Sequence, residues 1–302
     1  MKYLYYPGCS LRSTGCSYEE SFLAVFNHLE IPLEELNDWN CCGATAYMSI
    51  DELKAFALAA RNLALAEIQG EGTEEKPANL IAPCAACYLV LKKTDTYIKE
   101  FDEIGQIITK SLKDGGLKYN GNVKIRHPLD ILANDYGSEK LTQWVTDSMQ
   151  GLKVACYYGC QILRPYADFD DQFDPMTMDN LATSVGAQAV KWPFKTRCCG
   201  GSLIGTIREV GLRLNYIILK EAKKRDVDLI LTSCPLCQIN LECFQKPISK
   251  KFNEDMEIPI IYFTQLIGLA LGLSPKSLGL NRSFVPVSIE KYLAKRRDYV
   301  SV

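Results

Sequence analysis

The sequence predicts an α/β protein made of two tandem domains, each a mostly parallel sheet and related to the other by a pseudo-twofold repeat. Three observations carry this. Short apolar strands alternate with longer helical segments, one cysteine series appears twice, and the two copies lie about 150 residues apart. Candidate strands in the first half are Lys2–Tyr6, Ile31–Leu36, Asn79–Ala82 and Val123–Arg126. The second half offers Lys153–Tyr157, Gln188–Lys191, Leu229–Thr232 and Pro259–Tyr262. Near-continuous apolar strands separated by helices imply βαβ units and a sheet covered on both faces, a Rossmann-like arrangement. Capping boxes at Ser49-x-x-Glu52 and Thr206-x-x-Glu209 are expected to start two equivalent helices. Their apolar faces would be Leu53, Phe56, Ala57 and Ala60, and Val210, Leu214, Ile217 and Ile218. Gly70–Pro77 and Lys113–Asn122 read as polar loops. Ile258–Leu273, interrupted by Pro259 and Gln265, reads as a buried strand followed by a helix, too short to span a bilayer. The junction is placed near Asp147–Gly151. Domains are therefore expected at 1–149 and 150–302, the second with a C-terminal helical extension.

Composition narrows the function. The chain has 302 residues, with Lys+Arg 34 against Asp+Glu 36 and a formal charge of −2. That balance leaves no basic footprint for nucleic acid. Hydrophobic residues at 47 % and charged residues at 23 % are those of a globular protein and exclude intrinsic disorder. The short apolar start Met1–Tyr6 meets Pro7-Gly8 at once, so no secretory signal is read and a cytoplasmic location is expected.

Thirteen cysteines stand beside only two histidines, His28 and His127. An odd count without secretory features argues against a disulfide framework. The repeat organises them. YLYYPGCSLR, NCCGA and LIAPCAAC in the first half match ACYYGCQILR, RCCGG and LILTSCPLC in the second. The offset is 151 from Cys9 to Cys160, 157 from Cys41 to Cys198, and 150 for both members of the Cys-x-x-Cys. All three motifs follow candidate strands, so each half can gather its cysteines beyond the strands' carboxyl ends.

Zinc takes four ligands, often as two Cys-x-x-Cys pairs about 15–20 residues apart. Here those pairs are 150 residues apart and the repeat matches five thiols in each half. Vicinal cysteines do not easily fill two corners of one tetrahedron. A polynuclear iron–sulfur cluster suits the pattern better. Gly43 and Gly200 allow close backbone approach, and each Cys-x-x-Cys is expected at a helix N-terminus, where free N–H groups stabilise negative charge. Pro235 suits the first turn of such a helix. Structural burial, a vicinal-dithiol redox centre and zinc are the competing readings; Cys16 and Cys243 read as core residues. Neither histidine is read as catalytic.

The doubled CCG and Cys-x-x-Cys motifs, with WPFKTRCCGG, LTSCPLCQINLE and IYFTQLIGLALG, resemble the CCG cysteine-rich domain family. Within it the chain resembles the B subunit of heterodisulfide reductase from methanogenic archaea, over essentially its whole length. The resemblance implies two noncubane 4Fe-4S clusters, each held by five cysteines. Carried over, the first set is Cys9, Cys41, Cys42, Cys84 and Cys87. The second is Cys198, Cys199, Cys234 and Cys237, with either Cys156 or Cys160. The implied reaction is reduction of the coenzyme M–coenzyme B mixed disulfide to two thiols, with no catalytic residue beyond the clusters. Anionic substrate halves would call for cations near the cysteines, and Arg12, Arg164, Lys195 and Arg197 are the candidates. No GxGxxG follows the first strand, so no nucleotide or flavin is expected on this chain and electrons must come through another protein. The partners implied by the resemblance are the small iron–sulfur subunit and the flavin-containing subunit of heterodisulfide reductase, with a hydrogenase or formate dehydrogenase module. No membrane span is expected. The alternatives are a CCG subunit of a thiol:fumarate, succinate or hydroxy-acid oxidoreductase, and a non-catalytic electron-transfer or zinc scaffold.

Overall fold

All eight expected strands are present, in two four-stranded sheets of identical topology. The structure is a computed structural model that describes residues 2–44 and 46–288. The first sheet comprises β1 (Tyr3–Tyr5), β2 (Leu33–Glu35), β3 (Ala78–Ile81) and β4 (Val123–Arg126) in the order β2-β1-β3-β4. The second comprises β5 (Lys153–Tyr157), β6 (Gln188–Ala189), β7 (Leu229–Thr232) and β8 (Ile260–Tyr262) in the order β6-β5-β7-β8. Every pairing is parallel. The inner strands β1 and β7 are buried along their length, as strands covered on both faces must be. The edge strands β2 and β6 are short and polar, which blunts the unpaired edge.

Packing divides the chain differently from the sequence repeat. One compact unit is the chain up to Ser13 plus Glu30–Pro128; the other is Thr14–Leu29 plus Leu129 onward. The helix Cys16–His28, which precedes β2 in sequence, thus belongs to the second unit rather than to a domain 1–149. Its buried face carries Tyr18, Phe22, Val25 and Phe26. Tyr18 stacks on Tyr262 with ring centroids 4.4 Å apart, and Ser21 Oγ lies 2.6 Å from Thr264 Oγ1. The residues expected as an interdomain junction near Asp147–Gly151 lie within that second unit. Of the expected C-terminal extension, residues 289–302 lie outside the described residues.

The two post-cysteine helices form, Glu52–Gln69 and Arg208–Lys224, but not through the expected capping boxes. Ser49 lies in the preceding helical turn Ala46–Ile50, and Asp51 caps instead, accepting from Lys54 N–H at 3.2 Å. Thr206 likewise ends the turn Leu203–Thr206, and Ile207 stands at the N-cap without a side-chain acceptor. The buried faces are also rotated. Ala55, Phe56, Ala59, Ala60 and Leu63 pack inward in one, and Gly211, Leu212, Asn215, Ile218 and Leu219 in the other. Leu53, Val210 and Ile217 are exposed. Ala55 and Gly211 on the inner face let the glycine of the preceding cysteine loop lie against each helix. Among the described residues, no helix is long and apolar enough to cross a membrane.

Candidate metal–sulfur centres

In each unit, three motifs at the carboxyl ends of three adjacent strands bring five thiols together. Cys9 lies in the turn Gly8–Leu11 after β1, and Cys41-Cys42 in the loop after β2. Cys84 caps the helix Ala85–Glu100 after β3, with Cys87 in its first turn. The Cys41 thiol lies 3.7 Å from Cys9 Sγ, and the Cys42 and Cys87 sulfurs are 3.3 Å apart. The second unit repeats this. Cys160 follows β5, Cys198-Cys199 follow β6, and Cys234 caps the helix Pro235–Glu242 with Pro235 in its first turn. Cys199 and Cys237 are 3.5 Å apart, and Cys160 is hydrogen-bonded to Cys198.

Backbone conformation makes these contacts reachable. Gly8 (φ +63°) and Gly159 (φ +70°) sit beside the sulfurs: a Cβ there would stand 3.0 Å from Cys87 Sγ and 3.1 Å from Cys237 Sγ. Gly43 (φ +79°) closes on the next helix, where a Cβ would stand 3.1 Å from Ala55 Cα. Backbone N–H groups reach the thiols as well, from Ala44 to Cys42 at 3.5 Å and from Gly200 to Cys198 at 3.3 Å.

The thiols share protons in pairs. Hydrogen bonds from Cys41 and then Cys87 hold the Cys42 thiol well below its ordinary range, and donation to Cys42 pushes Cys41 and Cys87 up. A bond from Cys87 lowers Cys84. In the second unit the bond from Cys160 pulls Cys198 down to about 6, and Cys237 lowers Cys199. Cys160 and Cys237, as donors, move up. Buried Tyr6 and Tyr157 lie under the two sets, their phenols pushed up first by burial and then by the neighbouring thiols. Each hydroxyl donates to the carbonyl before its cysteine pair, Tyr6 to Asn40 at 2.8 Å and Tyr157 to Arg197 at 2.6 Å. The helix following each pair holds the loop too. Asn62 Nδ2 bonds the Asn40 carbonyl at 2.9 Å, and Asn215 Nδ2 the Cys199 carbonyl at 2.9 Å.

Among the described residues, no group of three or more His, Cys, Asp or Glu side chains is arranged to hold a metal ion as it stands. What the structure brings together is thiols in touching pairs, five to a unit, roofed by helix N-termini and close-lying glycines. That donor set fits a polynuclear metal–sulfur group better than a single tetrahedral ion.

Cys156 is not part of this cluster. It is fully buried within β5, and its thiol is pushed up by burial and then by Asp179. Strand alternation turns Cys156 away, while Cys160, like Cys9, lies past the strand end. Cys16 and Cys243 also stand apart from both sets and are partly exposed rather than core. The candidate cations divide. Lys195, only 3 % exposed, is consumed internally by Asp179 (3.0 Å), Asp174 (3.3 Å) and the Pro175 carbonyl (2.7 Å), so it is not available to a ligand. Arg12 pairs with Glu35, whose carboxyl is held down by Arg12 and Trp39 against the upward push of burial. Arg164 donates to the Gln172 carbonyl at 3.0 Å and to Thr196 Oγ1 at 2.7 Å. Arg197, next to Cys198, is exposed and lies over the Phe194 ring. His127 is buried and gives its Nε2 proton to the Pro83 carbonyl at 3.1 Å, a structural role. His28 meets Trp144 edge-on.

This doubled site belongs to a recognisable class: the chain is a member of the Cysteine-rich domain (CCG) family, whose profile matches residues 3–92 and 154–242. Its relatives are oxidoreductase subunits. The chain is 31 % identical over 293 residues to the B subunit of the ferredoxin:CoB-CoM heterodisulfide reductase of Methanosarcina mazei, covering 95 % of this chain and 94 % of that one. It is 30 % identical over 288 residues to the 8-methylmenaquinol:fumarate reductase membrane anchor subunit of Wolinella succinogenes, covering 94 % and 97 %. A protein of Archaeoglobus profundus, described as like the heterodisulfide reductase B subunit, is 31 % identical over 288 residues, 92 % of this chain and 93 % of that one. In fold, the chain is similar to a hypothetical protein from Helicobacter pylori, with a TM-score of 0.73 at 15 % identity. That match covers 95 % of this chain, which spans 52 % of the length of the other.

Proposed function

We propose that this chain is the disulfide-reducing subunit of a heterodisulfide reductase, acting on the mixed disulfide of coenzyme M and coenzyme B. The observation that carries the reading is the pair of five-thiol sets on identically ordered sheets, in a chain similar end to end to the B subunit of that enzyme. The reaction consumes two electrons and two protons, breaks one S–S bond and releases two thiols. Each thiol set would hold one noncubane 4Fe-4S cluster, Cys9, Cys41, Cys42, Cys84 and Cys87 in one unit and Cys160, Cys198, Cys199, Cys234 and Cys237 in the other. Such clusters supply single electrons and iron that accepts a departing thiolate. The protein's part is to gather thiols that share protons in pairs, with Cys42, Cys84, Cys198 and Cys199 held down as the acceptors, to keep Tyr6 and Tyr157 protonated under them, and to offer cations to an anionic substrate. Arg197 is the best placed for that last task, with Arg12 and Arg164 as secondary candidates that would first have to leave Glu35 or Gln172. Electrons would arrive from the iron–sulfur and flavin-containing subunits of a cytoplasmic complex.

The deciding experiment is anaerobic iron and acid-labile sulfide analysis of the full chain, with EPR after addition of coenzyme M thiol. About eight iron and eight sulfide with a thiol-dependent signal support the reading; zinc without sulfide overturns it. Arg197→Ala is expected to raise KM for the disulfide at unchanged iron content. A second reading, a CCG subunit of a quinol- or thiol-linked fumarate reductase, is favoured by the 30 % identity to the Wolinella succinogenes protein. Fumarate-dependent oxidation of the assembled complex, without heterodisulfide turnover, would select it.

A further inference from the structure

Matched positions around the two thiol sets differ in polarity. With Cys84 and Cys87 aligned on Cys234 and Cys237, Ala82 corresponds to Thr232, Pro83 to Ser233 and Val90 to Asn240. The three polar side chains are completely buried. Asn240 Nδ2 stands 3.4 Å from Cys199 Sγ and donates to the Gly201 carbonyl at 2.8 Å. A carbonyl only accepts, so the amide's NH2 end faces the cysteine loop. The hydroxyls of Thr232 and Ser233, immediately before Cys234, have no hydrogen-bond partner among the described residues, and neither does the amide oxygen of Asn240. A buried hydroxyl left unpaired costs about 1–3 kcal/mol, so the two orphan hydroxyls next to Cys234 point to an acceptor there. In the first unit the one such orphan among the described residues is Thr94 Oγ1, further along the helix Ala85–Glu100. Tyr6 and Tyr157 each donate to a backbone carbonyl, and Tyr6 also lies within hydrogen-bonding reach of Cys42.

We infer that Asn240, Ser233 and Thr232 make the second centre the more easily reduced of the two. This rests on the reading that each thiol set holds an iron–sulfur cluster. Reduction adds negative charge to cluster and ligand sulfurs. The Asn240 N–H directed at Cys199 stabilises that charge, and the unpaired hydroxyls just before Cys234 are free to add to it, whereas Ala82, Pro83 and Val90 carry no donor. The paired centres are therefore functionally unlike, and the first electron to arrive rests on the second.

The test is an EPR-monitored redox titration of the full chain, after its iron and sulfide have been counted. Asn240→Val, which copies the first unit, and Ser233→Ala, which deletes one hydroxyl, are each expected to lower the higher midpoint and leave the lower one in place. A tenfold change in the oxidised-to-reduced ratio at fixed ambient potential is 59 mV for one electron, within the reach of such a titration. Unchanged midpoints in both variants, or movement of the lower one, overturn the inference while the two clusters remain. Should Asn240→Val lose iron, the Ser233→Ala midpoint decides. A parent chain without sulfide removes the cluster reading, and this inference with it, an outcome visible before any titration begins.

Discussion

The two units present the same thiols on the same strand order yet anchor them by opposite means. Three residues before the cysteine pair stands Asp38 in one and Lys195 in the other. Asp38 is exposed and pairs with Arg61 at the surface. Lys195 is buried, and its backbone carbonyl receives the N–H groups of Tyr158 and Gly159 at 2.9 and 3.1 Å. Its ammonium meets Asp179, itself bonded by the Tyr158 hydroxyl at 2.7 Å. Burial pushes the Asp179 carboxyl up against the downward pull of Tyr158 and Lys195. Strand ends, glycines and thiols are kept in both units, while the scaffolding behind the cysteine loop is free to change sign and depth.

The difference can be broken from either side. Asp179→Ala leaves a buried ammonium short of its main partner and is expected to cost about 3–5 kcal/mol. Asp38→Ala should cost under about 1 kcal/mol, as exposed pairs do. Chemical denaturation of the two variants checks this, and equal losses would erase the proposed asymmetry of support.

Glu242, in the second unit only, sharpens it through pH. This buried carboxylate accepts the N–H groups of Phe284 (3.0 Å) and Val285 (3.2 Å) and the Gln238 amide, with no cation among these contacts. Burial outweighs those bonds and pushes it up to about 7 from 4.5. The folded state thus holds this proton more tightly than the unfolded one. The associated stability is full below the unfolded value and is lost as pH rises through about 7, on the order of 3 kcal/mol. Glu242→Gln should flatten the rise in stability from pH 8 to pH 5; an unaltered slope would discard the assignment.

A last pair of substitutions tests what the units share. Gly8→Ala and Gly159→Ala each force a Cβ onto a cysteine sulfur at positive φ, at about 1–2 kcal/mol. Each should lower iron content at its own centre to the same degree, measured by metal analysis, and unequal losses would mean that the two sulfur cages are not equivalent.

Much of this was legible in residue spacing. Eight strands and two thiol sets could be read because alternating apolar runs and nearly constant offsets are signals carried by the sequence itself. The expected strand Lys153–Tyr157 and the match of Cys9 with Cys160 already leaned toward Cys160, and the structure ends β5 at Tyr157, with Cys156 inside the sheet and Cys160 beyond it. Lys195 read as a cation for an anionic substrate because Asp179 and Asp174, which engage it, lie in a different segment of the chain with no periodic mark. Gly8 and Gly159 carried a signal in YYPGC and YYGC, but only a structure puts a sulfur where their Cβ would be. The destination of the helix Cys16–His28 was illegible, because an apolar face says that a helix must be covered and not by which sheet.

That helix decides how the protein can be dissected. The chain leaves the first unit at Ser13, returns at Glu30 and leaves again after Pro128. Cutting it at the sequence repeat would yield one fragment displaying Tyr18, Phe22, Val25 and Phe26 to water, and another with Tyr262 and Phe263 stripped of their ring partner. Recombining halves from two relatives would carry the helix with the wrong partner, so the unit of inheritance here is the whole chain, whatever its repeated past.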